Sequence, residues 1–272
     1  MSDSILYTRD GALARLTFNR PASLNAMGFE MGQRWRDLAH EVTSDDTVGA
    51  IVLDAVGPAF CAGGDVIEMS TSGSKGSDVT AMAHVIHDGI RTFVESSTPI
   101  VAAVQGAVAG GGLGLMLTAD YIVASPRAKF VSRYANIGLS PDLGVSTLLP
   151  AAIGQTRALR LLLQDETIDA DTALDWGLVT EVADDPGTRA AEIAAFWLGN
   201  ATAAFGTAKR LIRTGAGRSF AENLDDEAAS IGARFDTPES AVRVAAFAAA
   251  STRSRPAAPA TPAAPATPKE NA

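Results

Sequence analysis

The chain has 272 residues, of which 47% are hydrophobic and 19% are charged, and its formal net charge is -9. This composition predicts one well-packed globular domain, with room for a small appendage. The acidic balance excludes a general nucleic-acid binder, although a local basic patch for a phosphorylated ligand is compatible with it. The single cysteine, Cys61, excludes an intrachain disulfide and a thiolate-rich metal site, and we expect no bound metal.

The hydropathy pattern predicts neither a signal peptide nor a membrane span. The first ten residues lack the charged and then apolar layout of a signal peptide. The apolar run over 100–119 is long enough to cross a bilayer, but Gln105 and five glycines interrupt it. We interpret it as a buried strand followed by the start of a buried helix. We therefore expect a cytoplasmic protein that does not contact membranes.

The first elements of the chain are a hairpin, a helix and a strand. Alternating residues over 4–7 and 12–18, on either side of Asp10-Gly11, predict the hairpin. Apolar residues recur at helical spacing over 31–42, and the apolar run over 50–53 predicts a buried strand.

A mobile loop and a helix follow. The small, polar residues of 70–78 predict the loop, and the helix covers 79–95 and ends before Pro99. Further strands are predicted over 100–104, 121–124 and 129–131, with a helix that ends near residue 117. Alternating strands and helices are typical of an α/β fold with parallel strands.

The C-terminal third is helical and rich in alanine, which suits a cover for the core or a subunit interface. The predicted helices lie at 157–163, 170–176, 189–198 and 205–212, with one or two more over 222–250. From Arg253 the composition changes to Pro, Ala and Thr, which predicts an extended, disordered tail. We therefore divide the chain into a core domain at 1–195, a helical region at 196–252 and a tail at 253–272.

Two glycine-rich turns each follow a buried strand. The first covers 60–65, and the second covers 106–112. A strand, a tight turn and a helix leave backbone N–H groups unpaired, so two such turns side by side can hold an oxygen anion. The pair predicts chemistry on a carbonyl whose oxygen becomes negatively charged. Either turn alone could instead serve only the close packing of a helix on a strand.

Five segments in register resemble the crotonase (enoyl-CoA hydratase/isomerase) superfamily over about residues 5–250. They are Asn19-Arg20-Pro21 with Asn25-Ala26-Met27, then 59–65, 99–120, 130–150 and 173–179. The resemblance implies an α/β crotonase (ClpP/crotonase-like) fold, with repeated ββα units in two roughly perpendicular sheets. It also implies C-terminal helices that form a homotrimer or a homohexamer. The substrate is expected to be an acyl group carried as a coenzyme A thioester, with no permanently bound cofactor.

By this resemblance, the N–H groups of Gly64 and Gly111 hold the thioester oxygen. Removing a proton next to a thioester, or adding a nucleophile to a conjugated one, produces an enolate. Two fixed donors stabilise that charge, and losing one donor costs about 3–4 kcal/mol of transition-state stabilisation.

The reactions of this superfamily differ in which residues transfer protons to and from the substrate. Its hydratases use two glutamates, whose positions are occupied here by Gly114 and Tyr134. Neither can transfer a proton as a carboxylate does, so ordinary hydration is disfavoured. Asp142 matches the position where several family isomerases place their only catalytic carboxylate, which suits a double-bond shift. Its alternative role is a turn or helix N-cap after Pro141.

The leading prediction is therefore isomerisation of a 3-enoyl-CoA, or of a related ring-derived substrate, to the conjugated 2-enoyl form. In a second interpretation, the chain is an aryl-CoA dehalogenase or another hydrolase with Asp142 as nucleophile. That chemistry uses His87 to activate water, although Tyr134 stands where the dehalogenases have tryptophan. His87 could instead be a partly exposed helix residue beside His84. A third interpretation is a non-catalytic acyl-CoA-binding protein.

The resemblance also implies a binding site for coenzyme A. Backbone groups at Ala62 and Gly63 meet the adenine, and Arg20 and Lys209 approach the phosphates. Either cation could instead be solvated. Asp65 is expected to brace the first glycine turn.

Overall fold

The computed structural model describes residues 3–253, in two compact units. The first unit ends at Asp226 and the second begins at Glu227. The core boundary predicted at residue 195 falls inside a helix, and the predicted division into domains stays a prediction. Arg253 is the last residue of the final helix, and the rest of the predicted tail lies outside the described residues.

The described residues form strands and helices in alternation. The strands are β1 (Ile5–Asp10), β2 (Leu13–Phe18), β3 (Ala50–Ala55), β4 (Ile100–Val104), β5 (Ala107–Ala109), β6 (Tyr121–Ala124), β7 (Lys129–Val131), β8 (Ile168–Asp169) and β9 (Glu181–Val182). The helices of the first unit are α1 (Phe29–Ser44), α2 (Val66–Thr71), α3 (Gly76–Glu95), α4 (Gly111–Leu117), α5 (Val145–Ile153), α6 (Gln155–Gln164), α7 (Ala170–Trp176), α8 (Pro186–Leu198) and α9 (Thr202–Gly215). They are followed by α10 (Phe220–Phe235), which crosses the unit boundary, and α11 (Pro238–Arg253).

The strands form two sheets, and most of their pairings are parallel. The larger sheet has the order β1-β2-β3-β4-β6-β9, in which β1 and β2 are an antiparallel hairpin and the other pairs are parallel. The smaller sheet has the order β5-β7-β8. The predicted α/β class with parallel strands is therefore confirmed.

Aromatic side chains fix α1 and α3 against the larger sheet. The ring of Trp35 on α1 lies 4.8 Å from that of Phe93 on α3 and 6.0 Å from that of Phe18 on β2. Gly89 allows this approach, because a Cβ there would lie 2.6 Å from the Trp35 ring and 3.1 Å from the backbone of Arg36. These large buried rings dominate the local packing energy and fix the axis of α3, which forms one wall of the candidate site.

The mobile loop predicted over 70–78 was wrong at both ends. Helix α2 continues to Thr71, and α3 begins at Gly76. The Asp65 carboxylate accepts from Glu68 N at 3.0 Å and starts α2, while Asp78 accepts from Lys75 N at 2.8 Å and starts α3. Hydrogen bonds from short acidic side chains to the backbone thus stabilise helices at both ends of the polar stretch 70–78.

Within residues 3–253, no helix is both long enough and apolar enough to cross a membrane. In the second unit, Ile231, Phe235, Val242 and Phe247 expose apolar side chains. The predicted trimer or hexamer and the predicted cytoplasmic location stay predictions.

Candidate active site

The two glycine turns lie side by side. Cys61 and Val108 form a parallel bridge, and Ala109 N donates to Cys61 O at 3.0 Å. Gly63 has a φ of +99°, and a Cβ there would lie 2.9 Å from Ala109 O. Gly112 approaches the first turn still more closely, because a Cβ there would lie 2.3 Å from Cys61 O. Both turns therefore need glycine to reach this separation.

Two backbone N–H groups are left unpaired at the junction of these turns. Neither Gly64 N nor Gly111 N donates a hydrogen bond to any acceptor within residues 3–253. Gly111 is the first residue of α4, where a helix has no internal acceptor for its N–H groups. The position of a Cβ on Gly63 lies 3.5 Å from Gly111 N, so the two donors belong to one small region. An arrangement of this kind can stabilise an oxyanion.

A carboxylate with a fixed orientation lies next to Gly111. Asp142 Oδ1 is 3.6 Å from the position that a Cβ on Gly111 would occupy. The Tyr134 hydroxyl donates to this same Oδ1 at 2.6 Å. Asp142 Oδ2 accepts no hydrogen bond from the described residues. The side chain does not cap α5, whose N-cap residue is Gly144, so the carboxylate is available to a substrate.

Tyr134 is 8% exposed. Burial raises the pKa of its hydroxyl, and the negative charge of Asp142 raises the pKa further. Both effects keep the hydroxyl protonated, and so it remains a donor to the carboxylate.

A cleft opens in front of these groups, between the start of α1, α2 and α3. Gly64 and Asp142 both line this cleft. The rest of the wall is mainly apolar, with side chains that include Met27, Met69, Met82, Val79 and Ile86. A narrow apolar cleft of this kind suits an acyl chain.

A wider cavity of about 1090 Å³ adjoins the first glycine turn. Its lining includes Arg20 and Ala62, and it shares Gly64 with the narrower cleft. Arg20 donates to Asp65 Oδ2 at 2.9 Å and to Ala26 O, which leaves further guanidinium N–H groups for a ligand. A thioester at Gly64 could thus extend its acyl group to one side and a phosphorylated carrier to the other.

Asp65 braces the first turn from two directions. Its carboxylate caps α2 and pairs with Arg20. Burial works to raise the pKa of Asp65, but the hydrogen bonds from Glu68 N and Arg20 more than offset this effect and leave the pKa below its usual value. The side chain is thereby occupied within the protein.

His87 contacts the segment that carries Asp142. Its Nε2 accepts a hydrogen bond from Leu143 N at 3.0 Å. This contact joins α3 to the residue next to the carboxylate.

The position of the first hydratase glutamate has no room for a side chain. A Cβ on Gly114 would lie 1.9 Å from Leu143 O and 2.8 Å from Leu143 C. Glycine at position 114 therefore leaves the space that the backbone of Asp142-Leu143 occupies.

The phosphate contact expected for Lys209 does not fit the structure. The ammonium is buried, donates to Phe93 O at 2.9 Å and to Thr98 O at 2.7 Å, and lies 3.1 Å from Asp120 Oδ2. Burial lowers the pKa of Lys209 to about 8, although Asp120 opposes this shift. Lys209 fastens α9 to the end of α3 and has no donor left for coenzyme A.

Sequence reasoning missed Glu68, which lines both cavities. Its carboxylate lies at the start of α1, where Phe29 N donates to it at 3.3 and 3.4 Å. The available signal was the spacing from Asp65, because an acidic residue three positions after an N-cap is typical of a helix start. Cys61, in the first glycine turn, is buried, and burial raises the pKa of its thiol to about 12.

Comparison with known proteins agrees with this fold. The family model described as Enoyl-CoA hydratase/isomerase matches residues 8–249, and the chain belongs to this family. The crystal structure of an enoyl-CoA hydratase/isomerase from Cupriavidus metallidurans CH34 superposes with a TM-score of 0.82 at 29% identity, covering 91% of this chain and 94% of the other. The crotonase fold predicted from the sequence is thereby confirmed.

Curated relatives carry names from three reactions. Probable enoyl-CoA hydratase EchA14 of Mycobacterium tuberculosis is 35% identical over 71% of this chain and 75% of its own length. The 1,2-epoxyphenylacetyl-CoA isomerase of Escherichia coli is 32% identical over 68% and 71% of the two lengths. A 4-chlorobenzoyl coenzyme A dehalogenase of Arthrobacter is 32% identical over 89% of each. The protein is thus an acyl-CoA enzyme at the level of the family, while the particular reaction depends on its own site.

Proposed function

We propose that this protein shifts the double bond of an acyl-CoA thioester, from the 3-enoyl form or a related ring-derived form to the conjugated 2-enoyl form. The observation that carries the proposal is the Asp142 carboxylate beside Gly111, which is held through Oδ1 by Tyr134 and accepts no hydrogen bond at Oδ2 from the described residues. One carboxylate is sufficient for this reaction, because it can accept a proton and then return it.

The proposed reaction begins with the thioester oxygen between Gly64 N and Gly111 N. Asp142 takes a proton from C2 of the 3-enoyl group, and the electron pair of that C–H bond moves into a dienolate. The two N–H groups stabilise the negative charge on oxygen. Asp142 then returns the proton to C4, which restores the carbonyl and leaves the double bond between C2 and C3. Every atom is retained, and no cofactor is needed beyond the coenzyme A that carries the acyl group.

The two cavities support the placement of this substrate. The apolar cleft takes the acyl group, and the wider cavity beside Arg20 takes the coenzyme A. Arg20 contributes positive charge near the phosphates, and the backbone at Ala62 and Gly63 lies near the adenine. Lys209 has no part in this proposal.

Hydrolytic dehalogenation is the second candidate, because His87 lies beside the Asp142 segment and a relative with that name matches most of the chain. In that reaction, Asp142 attacks the ring carbon that carries the halogen, the carbon–halogen bond breaks and halide leaves, which forms an aryl ester. A base then removes a proton from the water that cleaves this ester, which releases the hydroxyaryl product and restores the carboxylate. The Nε2 lone pair of His87 is already occupied by Leu143 N–H, which favours isomerisation.

The test is to assay 3-enoyl, 2-enoyl and 4-halobenzoyl-CoA thioesters with the wild type and with Asp142→Asn. The amide keeps the acceptor for Tyr134 but cannot carry the proton, so isomerisation should fall about 10²- to 10⁴-fold. Circular dichroism and coenzyme A binding should be unchanged. Isomerisation at the wild-type rate by Asp142→Asn overturns the proposal. Halide release, or binding of all three thioesters without turnover, would favour the dehalogenase or the non-catalytic interpretation.

A further inference from the structure

The turn between Asp142 and α5 is held in a conformation that its sequence does not favour. Leu143 has a φ of +48°, in the left-handed region that a leucine rarely adopts, and Gly144 follows with a φ of +81°. Such a conformation persists only where the surroundings hold it. The Asp142 carboxylate is attached directly to this strained turn, so its position depends on whatever holds Leu143.

Two contacts hold the Leu143 backbone. Its carbonyl packs against Gly114, where a Cβ would come within 1.9 Å. Its N–H donates to His87 Nε2 at 3.0 Å, and Leu143 itself is buried, so water does not readily replace this partner. Among the described residues, His87 is the only side chain that accepts a hydrogen bond from Leu143 N.

The hydrogen bond defines the protonation state of His87. To accept from Leu143 N, Nε2 must present a lone pair, so the ring is neutral and its proton is on Nδ1. A protonated ring would turn an N–H toward another N–H and break the contact.

The surroundings of His87 favour this neutral state. Burial lowers the pKa of its imidazole, the negative charge of Asp142 raises it, and His84 and Arg91 on the same helix lower it. The net shift is downward from 6.5. The ring therefore stays neutral at neutral pH and becomes protonated as the pH falls through its lowered pKa.

We propose that His87 is a positioning residue, which in its neutral form holds the Leu143 turn and thereby fixes the Asp142 carboxylate against the thioester. This inference rests on the proposed function of Asp142, and it gives His87 a role other than the water-activating base of a dehalogenase. It also ties the position of the carboxylate to α3, whose side chains Met82 and Ile86 line the acyl cleft. Activity should be present at neutral pH and should be lost as acid protonates His87.

The test compares His87→Gln with His87→Phe in the full chain. The glutamine amide oxygen can occupy the place of Nε2 and accept from Leu143 N, but it does not titrate. His87→Gln should keep kcat within about threefold. In its pH–rate profile, the fall in kcat at acidic pH (the acid limb) should lose the part that protonation of His87 causes. Phenylalanine fills the ring volume without an acceptor, so kcat should fall about 10- to 100-fold while KM changes little. His84→Gln is the matched control: it should keep the rate at neutral pH and keep the acid limb, displaced toward higher pH, because His84 lowers the pKa of His87.

An equal loss of kcat in His87→Gln and His87→Phe would overturn the proposal, because it would assign proton transfer to His87. A second result is wild-type kcat in a folded His87→Phe variant, which would remove any role. If His87→Phe does not fold, His87→Gln still decides, because an unchanged acid limb in that variant contradicts the proposal.

A further measurement does not depend on the proposed function. The chain has three histidines, so ¹⁵N spectra of the labelled imidazoles can be assigned with the variants. The proposal requires Nδ1 of His87 to be protonated and Nε2 to be unprotonated at pH 7. The opposite tautomer would overturn the positioning role, whereas full isomerase activity in Asp142→Asn would overturn only the function of the carboxylate.

Discussion

The hydroxyl of Tyr134 lies 2.6 Å from Oδ1 of Asp142 and donates to it, while Oδ2 receives no hydrogen bond from the described residues. This relationship makes the two carboxylate oxygens unequal. One is fixed by a buried phenol, and the other is left to meet a substrate. A tyrosine at this position, instead of a second carboxylate, leaves Asp142 as the proposed carrier of the proton.

Removing the Tyr134 hydroxyl should impair turnover more than binding. In Tyr134→Phe, the carboxylate loses a charge-assisted hydrogen bond of about 1.5–3 kcal/mol, so we expect kcat for 3-enoyl-CoA to fall about 10- to 150-fold. KM should change little, because the cleft is retained. Tyr121→Phe is the matched control, since its hydroxyl donates to Glu181 at 3.0 Å on the edge of the larger sheet. An equal loss of kcat in both variants contradicts this role for Tyr134.

Alanine substitutions at two adjacent glycines of the first turn should differ in their effect on stability. In Gly63→Ala, the new Cβ meets Ala109 O at 2.9 Å and the backbone has a φ of +99°, so we expect a loss of about 1–3 kcal/mol in the free energy of unfolding. In Gly64→Ala, the Cβ meets only the terminal methyl of Met69, which can move. Gly64→Ala should therefore fold with nearly wild-type stability in urea titrations. Equal stability of the two variants would contradict the close approach of the turns.

A side chain at Gly114 should disturb the site without adding chemistry. In Gly114→Ala, the Cβ clashes with Leu143 O, so we expect about 1–3 kcal/mol of destabilisation and a loss of isomerase activity as Asp142 moves. Gly114→Glu should show no hydration of 2-enoyl-CoA, although it restores the residue type of the hydratases. Gly76→Ala is the control, because nothing lies within 4 Å of its Cβ. Hydratase activity in Gly114→Glu would show that this position is open.

The glycine turns and the carboxylate of the site could be predicted from the sequence. The two glycine turns follow strands whose apolar runs are plain, and the resemblance to the family then selected Gly64 and Gly111 within them. Asp142 could be placed because its segment lies in register with the family.

Contacts that depend on unusual backbone or on distant partners could not be predicted. The hydrogen bond from Leu143 to His87 requires a left-handed leucine, which nothing in the residues around position 143 indicates. The same conformation turns the Leu143 carbonyl onto Gly114, so the sequence showed a missing glutamate but gave no reason for its absence. Tyr134 was identified as a departure from the family, but its bond to Asp142 depends on the fold of the segment between them.

Lys209 should prove to be a structural residue that does not bind coenzyme A. On the sequence it looks like a helix lysine near a phosphate, yet its ammonium is bonded to the carbonyl oxygens of Phe93 and Thr98 and paired with Asp120. Lys209→Met removes the donor to Thr98 O and one of the two cations beside Asp120, whereas Phe93 O and Asp120 each keep another donor, so we expect about 1–3 kcal/mol of destabilisation in urea titrations. Coenzyme A affinity, measured by calorimetry on the folded variant, should stay within about twofold. Lys129→Met, on the exposed end of β7, should change the stability by less than about 0.5 kcal/mol. A large loss of affinity without a loss of stability in Lys209→Met would return this lysine to the phosphate site.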